Sequence, residues 1–473
     1  MRKLNRLVAL VILCIVTATG VCTADLTSSI DEILGNRSLK NGVQAVVVRS
    51  LKTGQTLYEH NGDLLMIPAS NFKLLVSSTS LELLGPDFKF QTEVFANGQV
   101  KDGVLNGDLV IKGGGDPVLL TADLTELAGQ VKAAGINSVK GNIIADDTLF
   151  DRQRIGSGWS YDSLQYYYSA EVSALNLNRN TVDIWVRPGK EVGDPVEIEL
   201  SPRTTYFTVE STATTGKTGS ANTIWVSRAI GLNIIRVSGS IAQGTKVTSR
   251  ETLRSLMEPQ LYAGYAFATE LGKQGIEVSG SVRSGKLPEG SKAVASHSSP
   301  PLSRVLSLLN KPSDNLIAEV LLKYLGAHFK GTGSWDNGAD VERELFRKMG
   351  MDMDGLSITD GSGLSRFNYI SANNLVKLLT YMHSSKNFKT FYESLPIAGV
   401  DGSLYSRMRN TSAKGNVHAK TGYIGRVSSL SGYVNTKSGE PLVFSIIMNH
   451  HLCPKSDATS LQDKICALLA DLP

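Results

Sequence analysis

Cysteine is scarce in this chain. Of 473 residues, four are cysteine, and two of them, Cys14 and Cys22, fall within the first 24 positions. The other two, Cys453 and Cys466, have no cluster of histidine or cysteine beside them and make a poor zinc site. In an oxidising compartment these thiols pair or stay separate, and the sequence leaves both open. An excess of charge is also missing. Lysine and arginine number 48 against 44 acids, a net of +4. Arg2, Lys3 and Arg6 supply three of those positive charges, which leaves about +1 from Asp25 onward. A nucleic-acid binder needs a basic face, so composition argues against one. No His-Glu-x-x-His motif occurs. No Gly-x-Ser-x-Gly elbow occurs either, because Gly361-Ser362-Gly363 has the wrong spacing. The run Gly113-Gly114-Gly115-Asp116-Pro117 lacks the Lys-Ser/Thr of a phosphate loop and does not fit the dinucleotide pattern, so it reads as a turn. His418 and the pair His450-His451 sit at strand ends, where histidines are usually structural or solvated.

What is present describes an exported globular protein. Hydrophobic residues make up 41% and charged residues 19%, enough apolar material for a core in two or three domains. Residues 1–24 have the form of a signal peptide: a basic start, an apolar run from Leu7 to Val16, and the small-residue site Cys22-Thr23-Ala24. The apolar run is short for a membrane span. An uncleaved anchor is the alternative reading. Thr19-Gly20-Val21 is a poor approach to a lipidated cysteine. The expected location is therefore the periplasm or the outer face of the cytoplasmic membrane.

Along the mature chain, Ala45 to Val48 reads as a buried strand and Thr56 to Glu59 as its hairpin partner across Lys52-Thr53-Gly54. From about Asp87, glycine turns punctuate short strands. Leu124 to Ala134 and Glu258 to Gly272 read as helices within that block. Residues 169 to about 254 are rich in Thr, Ser, Val and Ile with little helical period. Helices are expected at Leu302 to Leu309, Leu316 to Leu325, Asn373 to His383 and Leu461 to Leu472. Strands are expected at Ser428 to Val434 and Leu442 to Met448.

Three short motifs carry chemistry. Pro68-Ala69-Ser70-Asn71-Phe72-Lys73 reads as the entry of a helix running to about Leu84, closed by Gly85. Ser70 and Lys73 are three apart and share one helical face. A serine hydroxyl needs a base, and a lysine whose pKa is lowered by burial and neighbouring charge is one. The helix N-terminus favours negative charge near Ser70. This is the single Ser-x-x-Lys in the chain. Ser313-Asp314-Asn315 follows the break at Asn310-Lys311-Pro312. Of three Lys-Thr-Gly triplets, beginning at Lys52, Lys217 and Lys420, only the last comes after both other motifs and leads into an apolar strand. A lysine at the start of an inner strand projects into a cleft to bind a carboxylate, and Thr421 adds a hydroxyl. In this order the trio is the signature of penicillin-binding proteins and class A β-lactamases.

With these motifs, and with Gly113-Gly114-Gly115-Asp116-Pro117, Asp360-Gly361-Ser362-Gly363-Leu364-Ser365-Arg366 and His418-Ala419-Lys420-Thr421-Gly422, the chain resembles the class C low-molecular-mass penicillin-binding proteins. These are D-alanyl-D-alanine carboxypeptidases/endopeptidases of bacterial cell walls, with a large insertion between the first two motifs. Here Ser313 lies 240 residues after Lys73. The resemblance implies an α+β fold. A β-lactamase/transpeptidase-like catalytic domain, an antiparallel sheet flanked by helices, would comprise residues 25–86 and 291–473. Two nested, strand-rich inserted domains would comprise 87–168 with 255–290, and 169–254.

The resemblance also implies roles. Ser70 would attack the D-Ala-D-Ala carbonyl and form an acyl-enzyme, with Lys73 as base. Ser313, supported by Lys420, would pass a proton to the leaving amine. Asn315 would hold the substrate amide. Lys420 and Thr421 would receive the terminal carboxylate, beside Gly422. The N–H groups of Ser70 and Tyr423 would form an oxyanion hole. Asp147 would bind the free amine of the stem peptide's diamino acid, and Arg366 a substrate carboxylate. Peptidoglycan stem peptides would be substrates, β-lactam antibiotics would be covalent inhibitors, and no metal or organic cofactor would be required. Tyr423-Ile424-Gly425-Arg426 departs from some relatives.

Two rivals stand beside this reading. A class A β-lactamase needs a glutamate for deacylation, but Glu171-Val172-Ser173-Ala174-Leu175-Asn176 has one residue too many before Leu-Asn. A non-catalytic wall-binding or β-lactam-sensing module would release no D-alanine.

Overall fold

The computed structural model describes residues 25–246 and 253–473; the expected leader, 1–24, lies outside them. Among the described residues, no helix is long and apolar enough to cross a membrane. The fold is α+β and divides into two compact units. Unit 1 holds the described residues up to Leu83, then Leu306–Ser313 and Glu342–Pro473. Unit 2 holds Leu84–Val305 and Asp314–Val341.

Unit 1 is built on a five-stranded antiparallel sheet. Its strands are β1 (Val43–Ser50), β2 (Thr56–His60), β3 (His418–Ile424), β4 (Val427–Asn435) and β5 (Pro441–Asn449), in the order β2-β1-β5-β4-β3. Central β5 is buried along nearly its whole length. Leu442, Phe444, Ile446 and Met448 join Val46 and Val48 in one cluster with Ala458, Leu461, Ile465 and Leu469 of the closing helix. The intervening Val443, Ser445 and Ile447 are buried as well. A strand covered on both faces reads as a continuous apolar run, which is why its period of two is hidden in the sequence. Helix α1 (Lys73–Leu84), α2 (Ala372–Ser384) and α3 (Lys455–Asp471) complete this part of the unit.

Two elements differ from expectation. The closing helix begins at Lys455, directly after Pro454, rather than near Leu461. Its first turn is polar and leaves no apolar stripe, although Pro454 and Asp457 are helix-start residues. Strand β3 is an edge strand, whereas an inner position was expected for the strand carrying Lys420. A sheet edge needs cover. Here Asn71 Nδ2 donates to the Lys420 carbonyl at 2.8 Å and caps part of it.

Unit 2 contains a seven-stranded mixed sheet built around the hairpin Gln91–Lys101 and Val104–Gly113. Asp102 and Gly103 both take positive φ at its tip, the geometry of a tight hairpin turn. Ile143–Asp146 pairs parallel to the second strand, and Lys292–Ser298 antiparallel to the first. Smaller strand groups lie between Thr181 and Ser255. One hydrophobic cluster runs from Val94 and Leu109 through Leu127 and Phe267 to Val226 and Ile241, joining the sheet, its helices and the smaller groups.

Helix Trp335–Lys348, unannounced by any apolar run, buries Trp335, Ala339, Glu342 and Phe346. Charged and polar residues separate its few apolar positions. Gly338 is required by packing, because a β-carbon there would collide with the Leu322 carbonyl of helix Asn315–Lys330.

The glycine run ends in a buried acid. Gly115 has φ +79, and a β-carbon there would lie 2.8 Å from the Tyr324 ring. Asp116 is buried; Oδ1 accepts from Val118 N at 2.8 Å, while Oδ2 has no hydrogen-bond partner. His297 Nε2 stands 3.9 Å from Asp116 and 3.8 Å from Asp123. Burial raises the Asp116 pKa to about 6, against the lowering effects of the Val118 N–H, His297 and Arg179. A raised carboxyl pKa means that the folded state binds more protons than the unfolded state between about pH 4 and 6. Its contribution to stability is then present at low pH and lost as pH rises through 6. Asp116→Asn is expected to flatten that slope and to stabilise the protein at pH 7 by about 1–3 kcal/mol. Urea unfolding of both proteins across pH 4 to 7 measures this, and parallel pH profiles would contradict it.

Candidate active site

Ser70 sits in a 3-10 turn, Ala69–Phe72, that runs straight into α1. Ala69 is held at φ 46, a left-handed conformation that costs a non-glycine residue about 1–2 kcal/mol. Its surroundings enforce it. The Pro68 carbonyl accepts from Ser429 Oγ of β4 at 2.6 Å and from Asn71 N at 3.2 Å. Gly363, at φ +79, lies so close that a β-carbon would collide with the Ala69 carbonyl. Gly422 of β3 is equally tight: a β-carbon there would lie 2.8 Å from the Pro68 carbonyl and 3.0 Å from Ser70 N. The glycine of Lys-Thr-Gly thus lets β3 approach the backbone of Ser70.

Lys73 is fully buried. Its Nζ donates to Ser70 Oγ at 2.9 Å and to the Ser362 carbonyl at 2.7 Å. The loop carrying Ser362 is organised by buried Asp360. Its carboxylate accepts from Gly363 N at 2.8 Å, from Ser365 N at 2.7 Å and from Asn368 Nδ2 at 2.7 Å. The Gly361-Ser362-Gly363 triplet is therefore no nucleophile elbow, yet its carbonyl orients the lysine beside the serine.

Lys420 is also fully buried, and its Nζ donates to Ser313 Oγ at 2.8 Å and to the Thr421 carbonyl at 3.0 Å. Burial, and then the nearby charge of Lys73, hold its pKa well below the usual lysine value. Ser313 has φ 67, a second strained non-glycine residue in the cluster. Within unit 1 the fold thus brings Ser70, Lys73, Ser313, Lys420, Thr421 and Gly422 together. Tyr423 follows on β3 with an exposed side chain, and Lys455 Nζ lies 4.6 Å from the centre of its ring. Arg366 donates from Nη2 to the Gly425 carbonyl at 2.7 Å. Thr421 Oγ1 lies 2.6 Å from the hydroxyl of Ser403, which motif reasoning passed over.

The remaining expected residues belong to unit 2. Asp314 caps helix Asn315–Lys330 by accepting from Ile317 N at 3.0 Å, and Arg179 Nε bonds its other oxygen at 3.1 Å. Asn315 Nδ2 donates to the Tyr168 carbonyl at 2.6 Å. Asp147 is ion-paired with Arg154 at 2.6 Å and accepts from Ser173 Oγ at 2.9 Å, both on Oδ2. Among the described residues, Cys453 and Cys466 are free thiols, and burial pushes the Cys466 pKa up.

The family model described as the D-Ala-D-Ala carboxypeptidase 3 (S13) family matches residues 26–472. A D-alanyl-D-alanine carboxypeptidase of Actinomadura sp. is 38% identical over 475 residues, covering 96% of this chain and 86% of that protein. One from Haemophilus influenzae is 26% identical over 409 residues, covering 85% and 84%. The crystal structure of penicillin binding protein 4 from Haemophilus influenzae superposes with a TM-score of 0.81 at 25% identity, over 93% of this chain and 98% of that one. The expected transpeptidase-like fold is the fold observed.

The buried ammonium of Lys420 is a cost to the folded state. A lysine whose pKa is lowered on folding binds fewer protons folded than unfolded, so stability rises with pH toward the unfolded value near 10.4. Lys420→Met keeps the aliphatic stem and removes the charge. It is expected to raise stability at pH 7 and to flatten that rise. Thermal unfolding from pH 6 to 10 measures both, and a lower midpoint for the variant at pH 7 would contradict the account.

Proposed function

Because the chain belongs to the D-Ala-D-Ala carboxypeptidase 3 (S13) family, we propose that it is a serine DD-peptidase acting on peptidoglycan stem peptides. Its reaction removes a terminal D-alanine as a carboxypeptidase, or opens a cross-link as an endopeptidase when the leaving amine belongs to a second peptide. The observation that carries this reading is the 2.9 Å contact between Lys73 Nζ and Ser70 Oγ, with Lys73 fully buried.

In this mechanism neutral Lys73 takes the proton of Ser70 as Oγ attacks the carbonyl of the penultimate D-alanine. The Ser70 and Tyr423 N–H groups stabilise the oxyanion of the tetrahedral intermediate. Ser313, bonded to Lys420 Nζ, delivers a proton to the leaving nitrogen, and the C–N bond breaks to give the acyl-enzyme. Asn315 holds the substrate amide. Lys420 and Thr421 receive the terminal carboxylate, beside Gly422. The proton that Lys73 took from Ser70 passes to Ser313, and water then hydrolyses the Ser70 ester, giving one proton to Lys73 and through it to Ser70 Oγ as the ester bond breaks. Asp147 Oδ1 receives the free amine of the diamino acid, and the guanidinium of Arg366 a substrate carboxylate. β-Lactams would acylate Ser70 and leave slowly, as covalent inhibitors. The protein acts after export, in the periplasm or at the outer face of the cytoplasmic membrane.

A labelled penicillin should mark the mature protein through denaturation and fail to mark Ser70→Ala. The same pair should show D-alanine release from an acyl-D-Ala-D-Ala peptide in the first and none in the second. Ser313→Ala should slow release by about 10²–10⁴-fold. Label on both proteins would mean a different nucleophile. Label with no D-alanine release would point to a sensing module, and rapid repeated penicillin turnover to a β-lactamase.

A further inference from the structure

We infer that Ser403 is a substrate-binding residue of the Ser70 site, whose hydroxyl acts with that of Thr421 on the terminal carboxylate of the substrate. The inference rests on the DD-peptidase reading and adds to it a residue outside all three motifs. Ser403 Oγ lies 2.6 Å from Thr421 Oγ1. Ser403 is exposed and Thr421 half-buried, so the pair is open to a ligand. Two hydroxyls bonded to each other use one O–H on the contact and keep the other. A carboxylate accepts only, so its arrival breaks the mutual bond and takes both donors. Such bonds to an ionised acceptor are stronger than the hydroxyl–hydroxyl bond they replace.

Ser403 is held in place by the chain just before Ser313. Ser403 N donates to the Lys311 carbonyl at 2.9 Å. Gly402, at φ +56, lies against the same carbonyl, where a β-carbon would be 2.7 Å away. Lys311 Nζ in turn bonds the Leu395 carbonyl at 2.5 Å and Asp401 Oδ2 at 2.7 Å. Asp401 Oδ1 accepts from Ile397 N at 2.9 Å. Both ends of the turn are thus tied to Lys311, two residues from Ser313. A hydroxyl fixed in advance costs little ordering entropy on binding.

The test compares the full-length wild type, Ser403→Ala and Ser403→Thr in their acylation by benzylpenicillin and by its methyl ester, which lacks the free carboxylate. Each second-order rate is read from label that survives denaturation. Ser403→Ala should lower the rate with the free acid about tenfold or more, change the rate with the ester less than twofold, and so erase most of the preference for the acid. Ser403→Thr, which keeps a hydroxyl, should restore most of it. Equal loss on both compounds would make Ser403 a structural tie and overturn the inference, as would an unchanged preference in Ser403→Ala. Absence of label from the wild type would overturn the acyl-enzyme reading itself, and this inference with it.

Discussion

Two lysine amines buried in one cluster govern the surroundings of Ser70. Lys73 and Lys420 are both fully buried, and the charge of one lowers the pKa of the other. Desolvating an ammonium is expensive unless its donors find acceptors. The fold supplies them as neutral oxygens: the Ser362 and Thr421 carbonyls and the hydroxyls of Ser70 and Ser313. Burial plus a like charge is the combination that makes a lysine a base near neutral pH.

Holding these acceptors in place requires strained backbone and close approach. Ala69 and Ser313 both take left-handed conformations without being glycine. Gly363 and Gly422 stand where any side chain would strike the Ser70 turn. The rest of unit 1 over-determines this arrangement. Ser429 of β4 bonds the Pro68 carbonyl, Asn71 bonds the carbonyl of Lys420, and Asp360 gathers three donors to shape the Ser362 loop. The doubly buried β5 gives the sheet a rigid centre from which these contacts extend. Strain of this kind persists only where a well-packed scaffold holds it.

Much of this was legible in the sequence, because the chemistry needs fixed residue types at short spacing. Ser-x-x-Lys places two side chains on one face whatever else the helix does, and the ordered trio names the pocket. Buried strands showed as apolar runs. What was not legible depends on tertiary contact. The Ser362 carbonyl is a backbone atom, and nothing in its side chain signals a lysine partner. Ser403 is one small hydroxyl in a polar stretch and gains meaning only when the fold sets it beside Thr421. The edge position of β3 follows from strand order, which local pattern does not encode. Helix Trp335–Lys348 was hidden because charged and polar residues separate its few apolar positions, and its Gly338 is explained only by the helix it packs against.

Lys311 shows how a residue outside the motifs can link two of them. It precedes the break at Pro312 and reads in sequence as an ordinary surface lysine. In the fold its carbonyl supports the Gly402–Ser403 turn, and its ammonium joins Asp401 and the Leu395 carbonyl. The chain then reaches Ser313 within two residues, and Ser313 bonds Lys420, whose neighbour Thr421 meets Ser403. These contacts close a ring from Lys311 through Ser313, Lys420, Thr421 and Ser403 back to Lys311. A ring of short tethers tolerates little slack, since it is closed by three hydrogen bonds and two short covalent stretches. That constraint ties the position of the serine expected to donate a proton to that of the hydroxyls expected to hold the carboxylate.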